Sequence, residues 1–101
     1  MTTINELFTA YAETLRRKNA ELGGYYWGNP KYPAETQKTP EQVAEKMFNA
    51  ILRASYPCDW LRHNEALREA CKACGIRKSA ELREFIKANW HLSESGARVG
   101  I

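Results

Sequence analysis

Residues 67–88 read LREACKACGIRKSAELREFIKA, and this stretch decides the fold. Leu67, Ala70, Cys71 and Cys74 recur at steps of three and four, so they share one face of an α-helix. Gly75 follows, a residue free to take the left-handed conformation with which many helices end. Ile76 then plugs the core just past the turn. Ser79 is placed to cap a second helix, whose apolar side carries Leu82, Phe85, Ile86 and Trp90. The pair is therefore expected at about residues 64–74 and 79–90.

Upstream, residues 4–22 form a further helical stripe through Ile4, Leu7, Phe8, Tyr11, Leu15 and Leu22. Thr3 with Glu6 makes a T-x-x-E capping box, and Gly23-Gly24 stops the helix. Residues 25–38, YYWGNPKYPAETQK, hold two prolines and a glycine and are expected as a long loop. Thr39, Pro40 and Gln42 then start another helix, with Thr39 as N-cap, Pro40 in the first helical position and Gln42 closing the box. Its apolar face is Val43, Ala44, Met47, Phe48, Ile51 and Leu52. Pro57 forces the chain out of helix by Ser55. Asp59 caps a short turn bearing Trp60 and Leu61. No segment alternates with period two, so no sheet is expected. The expected fold is all-α: about four helices in residues 1–92, a long aromatic loop between the first two, and a flexible tail at 93–101.

At 101 residues the chain supports one domain with a modest core. A hydrophobic fraction of 44% and a charged fraction of 27% fit a soluble globular protein. No apolar run is long enough to span a bilayer, and MTTINELF has no signal-peptide pattern. Three cysteines in no regular framework point to a reducing cytoplasm rather than a disulfide scaffold. The net charge of +3 permits contact with nucleic acid without requiring it. Residues 1–52 balance six basic against six acidic groups, whereas residues 53–91 hold eight against five. The excess therefore sits beside the helical pair.

The run L-R-E-A-C-K-A-C-G-I-R-K-S resembles the first helix and turn of helix-turn-helix DNA-binding proteins, including small phage and plasmid regulators. The likeness covers residues 67–88. It implies a DNA-binding regulator whose second helix meets the duplex, with Arg77, Lys78, Arg83 and Lys87 as the contact face. A homodimer would suit such a reader. The chain departs from the family at Glu81 and Glu84, where apolar residues are usual. The buried stripe of the second helix is therefore rotated by one residue, or the turn is one residue longer. Glu81 and Glu84 then share the exposed side with the basic groups.

Cys58, His63, Cys71 and Cys74 are spaced C-x4-H-x7-C-x2-C, and all four are acceptable zinc ligands. A zinc knuckle needs its cysteines on a turn, however, and Cys71 and Cys74 lie on an apolar helical face. There, free cysteine serves as a small buried hydrophobe. The expectation is no metal and no cofactor. No activating base or oxyanion turn accompanies the Cys58–His63 pair, so no enzyme is expected. Tyr25, Tyr26, Trp27 and Tyr32 either cover the core or form a binding surface on a proline-stiffened loop. The latter gives the alternative function: an interaction module, or a phage- or plasmid-type inhibitor, that captures a host protein.

Overall fold

A computed structural model describes residues 2–23, 38–54 and 58–92. Among the described residues five α-helices follow in order: α1 (Ile4–Glu21), α2 (Pro40–Arg53), α3 (Trp60–His63), α4 (Glu65–Ala73) and α5 (Ser79–Asn89). A 3-10 turn, Trp90–Leu92, continues α5. No strand occurs among the described residues. The all-α bundle expected from the periodicity is the fold, with α3 as the one-turn element that Asp59 caps. Residues 25–37 of the aromatic connector and the tail at 93–101 lie outside the described residues.

Local chemistry sets each helix start. Thr3 Oγ1 accepts from the Glu6 amide at 3.1 Å, which is one half of the expected box. At α2 the box is complete: Thr39 Oγ1 accepts from the Gln42 amide at 3.1 Å, and the Thr39 amide donates to Gln42 Oε1 at 2.9 Å. Asn64 Oδ1 accepts from the Leu67 amide at 3.0 Å and starts α4. Leu22 departs from the expected stripe. It is the C-cap of α1 and is 57% exposed, because the helix ends one residue earlier and Gly23 turns with φ +66°.

Helix α1 lies at the centre, packed against α4 on one side and α2 on the other, while α5 packs mainly on α2. The core gathers Leu7, Tyr11, Leu15, Phe48, Ile51, Leu67, Cys71, Leu82, Ile86 and Trp90. Phe48 sits among three rings. Tyr11 stacks on it at 5.9 Å between centroids, Phe8 meets it edge-on at 5.9 Å, and Trp90 meets it edge-on at 5.2 Å. Such contacts add about 0.5–1.5 kcal/mol each beyond area burial. The indole of Trp90 is fully buried, and its Nε1 donates to Asn49 Oδ1 at 2.9 Å, so its one polar atom is satisfied.

Along the α1–α4 seam the charges are paired. Arg17 donates to Glu69 at 2.6 Å and to Glu21 at 3.2 Å. Lys18, 8% exposed, reaches Glu65 at 3.3 Å and Glu69 at 3.4 Å. Burial pulls the Lys18 ammonium pKa down, but hydrogen bonds to Glu65 and Glu69 outweigh it and the net shift is upward. Hydrogen bonding from Arg17, opposed by burial and helped by Lys18, holds the Glu69 carboxyl below its ordinary value. Both α4 carboxylates are therefore neutralised from α1, which decides which charges of α4 remain open.

Candidate nucleic-acid interface

The turn between α4 and α5 is a Schellman motif. The Ile76 amide donates to the Cys71 carbonyl at 2.8 Å, and the Gly75 amide donates to the Lys72 carbonyl at 3.2 Å. Gly75 takes φ +82°, the left-handed conformation expected of it. Thr2 Oγ1 donates to the Cys74 carbonyl at 3.1 Å, satisfying a further helix-end acceptor. Ile76 folds back against the core. This geometry leaves Arg77 and Lys78 exposed at the end of the turn.

Ser79 does not cap α5 as its position suggested. Lys78 holds the N-cap position of α5, with no side-chain hydrogen bond there. The Ser79 hydroxyl instead donates to Asp59 Oδ1 at 2.7 Å and accepts from the Leu61 amide at 3.2 Å. It therefore serves α3, with Asp59 accepting from the Arg62 amide at 3.2 Å. Hydrogen bonding from Ser79, opposed by burial and helped by the Arg62 amide, holds the Asp59 carboxyl below its ordinary value.

A groove of about 360 Å³ opens between α3, α4 and the turn, lined by Leu61, Arg68, Lys72, Ile76 and Arg77. Leu61 and Ile76 supply its apolar lining and the other three its cations. An adjoining hollow of about 470 Å³ is lined by Cys58, Asp59, Arg77, Lys78 and Ser79. Arg77 borders both. Arg68 and Lys72 stand four residues apart on α4, each three residues after an acidic neighbour, Glu65 and Glu69, that is paired to α1. The Arg68 guanidinium donates to the Leu61 carbonyl at 3.2 Å and the Arg62 carbonyl at 3.4 Å, which orients it over the end of α3. Among the described residues, Arg68, Lys72, Arg77 and Lys78 form no ion pair.

Of the four cations expected to form the contact face, three are exposed and one is half-buried. Arg77 and Lys78 are exposed in the turn, and Lys87 is exposed two turns along α5. Arg83 is half-buried, and its Nη2 donates to the carbonyl of Ala54, the C-cap of α2. It therefore ties α5 to α2. The exposed side of α5 carries Ala80, Glu81, Glu84, Lys87 and Ala88. The apolar stripe of α5 runs through Leu82, Ile86 and Trp90, and Glu81 and Glu84 face outward. Arg68 and Lys72 were missed by the sequence reading. Their i,i+4 spacing opposite the apolar stripe of α4 was the available signal.

The four residues with ligand-type spacing differ in setting. Cys71 is fully buried, Cys74 is half-buried at the end of α4, and Cys58 and His63 are exposed. Among the described residues, no three His, Cys, Asp or Glu side chains gather to hold a metal ion. Burial, followed by the neighbouring Cys74, pushes the Cys71 thiol pKa up to about 12, and burial raises Cys74 as well. Neither is an activated thiol. Tyr25, Tyr26, Trp27 and Tyr32 lie outside the described residues, and no described helix is long and apolar enough to cross a membrane. Comparison with protein-family models, curated proteins and solved structures returned no match.

Proposed function

We propose that this protein is a small, non-enzymatic nucleic-acid-binding regulator that contacts duplex DNA through the ridge formed by α4 and the following turn. One observation carries the reading: Arg68, Lys72, Arg77 and Lys78 neighbour one another with no ion pair among the described residues, while Glu65 and Glu69 are paired to α1. Cations held this way are available to phosphates, and each contact releases condensed counterions. The contact set differs from the one suggested by the helix-turn-helix resemblance, since Arg83 is half-buried against Ala54, whereas Arg68 stays exposed while donating to Leu61 and Arg62, and the ridge adds Arg68 and Lys72. Work in the cytoplasm suits a chain whose three cysteines are unpaired.

The test is duplex binding by the full chain. Replacing Arg77 and Lys78 together by Ala should weaken it strongly, while Trp27→Ala leaves it unchanged. An interaction module acting through Tyr25, Tyr26, Trp27 and Tyr32 predicts the reverse: partner capture lost with Trp27→Ala and the basic pair silent. Absence of duplex binding by the unmodified protein at micromolar concentration in low salt removes the nucleic-acid reading.

A further inference from the structure

We infer that the protein grips the phosphate backbone without reading base sequence, and that α5 stays out of the groove; this rests on the nucleic-acid reading above. A helix that reads bases presents long donors and acceptors to the groove floor, chiefly Arg, Lys, Asn and Gln. The exposed side of α5 offers Ala80, Glu81, Glu84, Lys87 and Ala88. Two carboxylates against one ammonium leave that face with one net negative charge. Inserted in a major groove, it would bring Glu81 and Glu84 within a Debye length, about 8–10 Å, of both phosphate chains.

Glutamate can accept a hydrogen bond from cytosine, but such a contact needs cations on the same helix to offset the phosphates. Arg83 could have supplied one. Its guanidinium is held by the Ala54 carbonyl, in the seam with α2. The open cations lie instead on α4 and the turn, where Arg68 and Lys72 stand on one flank and Arg77 and Lys78 extend the line. Apart from those cations, the groove is lined by Leu61 and Ile76, which cannot donate hydrogen bonds to base edges. The four open cations are left to the phosphates because Glu81 and Glu84 oppose entry of α5, the helix that would carry a reading face into the groove.

The experiment measures fluorescence anisotropy of the full chain on several 20-base-pair duplexes of unrelated sequence, at fixed salt, for the wild type and for Glu81→Gln/Glu84→Gln. The expected affinities agree within about threefold across the duplexes, as for binding dominated by phosphate contacts. The double variant, whose sites stand away from the DNA, should shift affinity by less than about threefold, since charges beyond a Debye length are screened. Preference for one duplex by about a hundredfold or more overturns the inference, because that requires base or shape readout. So does a gain of about tenfold or more in the double variant, which would place the carboxylates at the phosphates. Failure to bind any of the duplexes has a separate meaning: it removes the nucleic-acid reading itself. Circular dichroism verifies that the double variant keeps its helices, so a folding defect is not mistaken for either result.

Discussion

Ser79 Oγ lies 2.7 Å from Asp59 Oδ1 and donates to it, so the turn that ends in Lys78 is fastened to the start of α3. The groove lies between these elements, and the contact fixes its shape. Ser79→Ala removes the donor to Asp59 and the acceptor of the Leu61 amide together. The expected loss is about 1 kcal/mol, the usual worth of such a cap. Denaturant midpoints measure it, and an unchanged midpoint would show that the bond does not hold α3.

Acid should act through the same contact. The Asp59 carboxyl sits below its ordinary 3.8, and those of Glu41 and Glu69 below 4.5, each first by a side-chain hydrogen bond, from Ser79, Arg16 and Arg17 respectively. Depressed carboxyl groups contribute stability that is present above their unfolded values and lost as pH falls through the folded ones. Thermal stability is thus expected to hold from neutral pH to about 5 and to decline below about 4. In Ser79→Ala the decline should be shallower. A stability rise between pH 5 and 3 would contradict the assignment.

Gly75 has φ +82°, and a Cβ built there meets no atom within 4 Å. The cost of substitution is therefore conformational. Gly75→Val is expected to destabilise by about 2–3 kcal/mol, and Gly75→Asn by less than about 1 kcal/mol, because Asn tolerates the left-handed region. Equal denaturation midpoints for Val and Asn would mean that the turn is built some other way.

Trp90 lies in the 3-10 turn after α5, yet it is fully buried against Phe8 and Phe48. Trp90→Ala should destabilise by about 3–5 kcal/mol, from the lost transfer energy and the cavity left behind. Trp90→Phe should retain much of that stability. A loss below about 1 kcal/mol for Trp90→Ala would indicate a site able to collapse, against the packing described.

The thiols should differ in reactivity. At pH 8 Cys58, which is exposed, is expected to react promptly with a disulfide reagent, while Cys71, fully buried and with its pKa pushed up to about 12, reacts only on unfolding. The sign of the pH effect follows. The folded chain keeps the Cys71 proton after an unfolded thiol has lost it, so this contribution is intact below pH 9.0 and is lost as pH rises toward 12. Rapid labelling of all three cysteines in the native protein would contradict that burial.

Local signals in the sequence were accurate where the partner is nearby. Thr39 with Gln42, Asp59 with Arg62, and Gly75 with the last turn of α4 act within five residues of themselves, and each is legible as a motif. The apolar stripes were legible for the same reason, since the helical period is local. Leu22 is a local failure, since α1 ends one residue before it; the others are non-local. Ser79 turns to Asp59 across 20 positions and Arg83 to Ala54 across 29. Arg17 meets Glu69 across 52. The spacing of Arg68 and Lys72 on the polar side of α4 is legible in the sequence, but the pairing of their acidic neighbours to α1, which leaves these two cations open, is not. No periodicity encodes such contacts.

The central claim is that Arg68, Lys72, Arg77 and Lys78 hold nucleic acid by its phosphates, and the salt dependence of duplex binding tests it most directly. Four phosphate contacts predict a slope of log affinity against log salt of about −3.6, at about −0.9 per contact. Replacing Arg77 and Lys78 by Ala should reduce it to about −1.8, while Lys87→Ala leaves it unchanged. A wild-type slope near zero, or a slope that falls with Lys87→Ala but not with the Arg77 and Lys78 pair, would contradict the account.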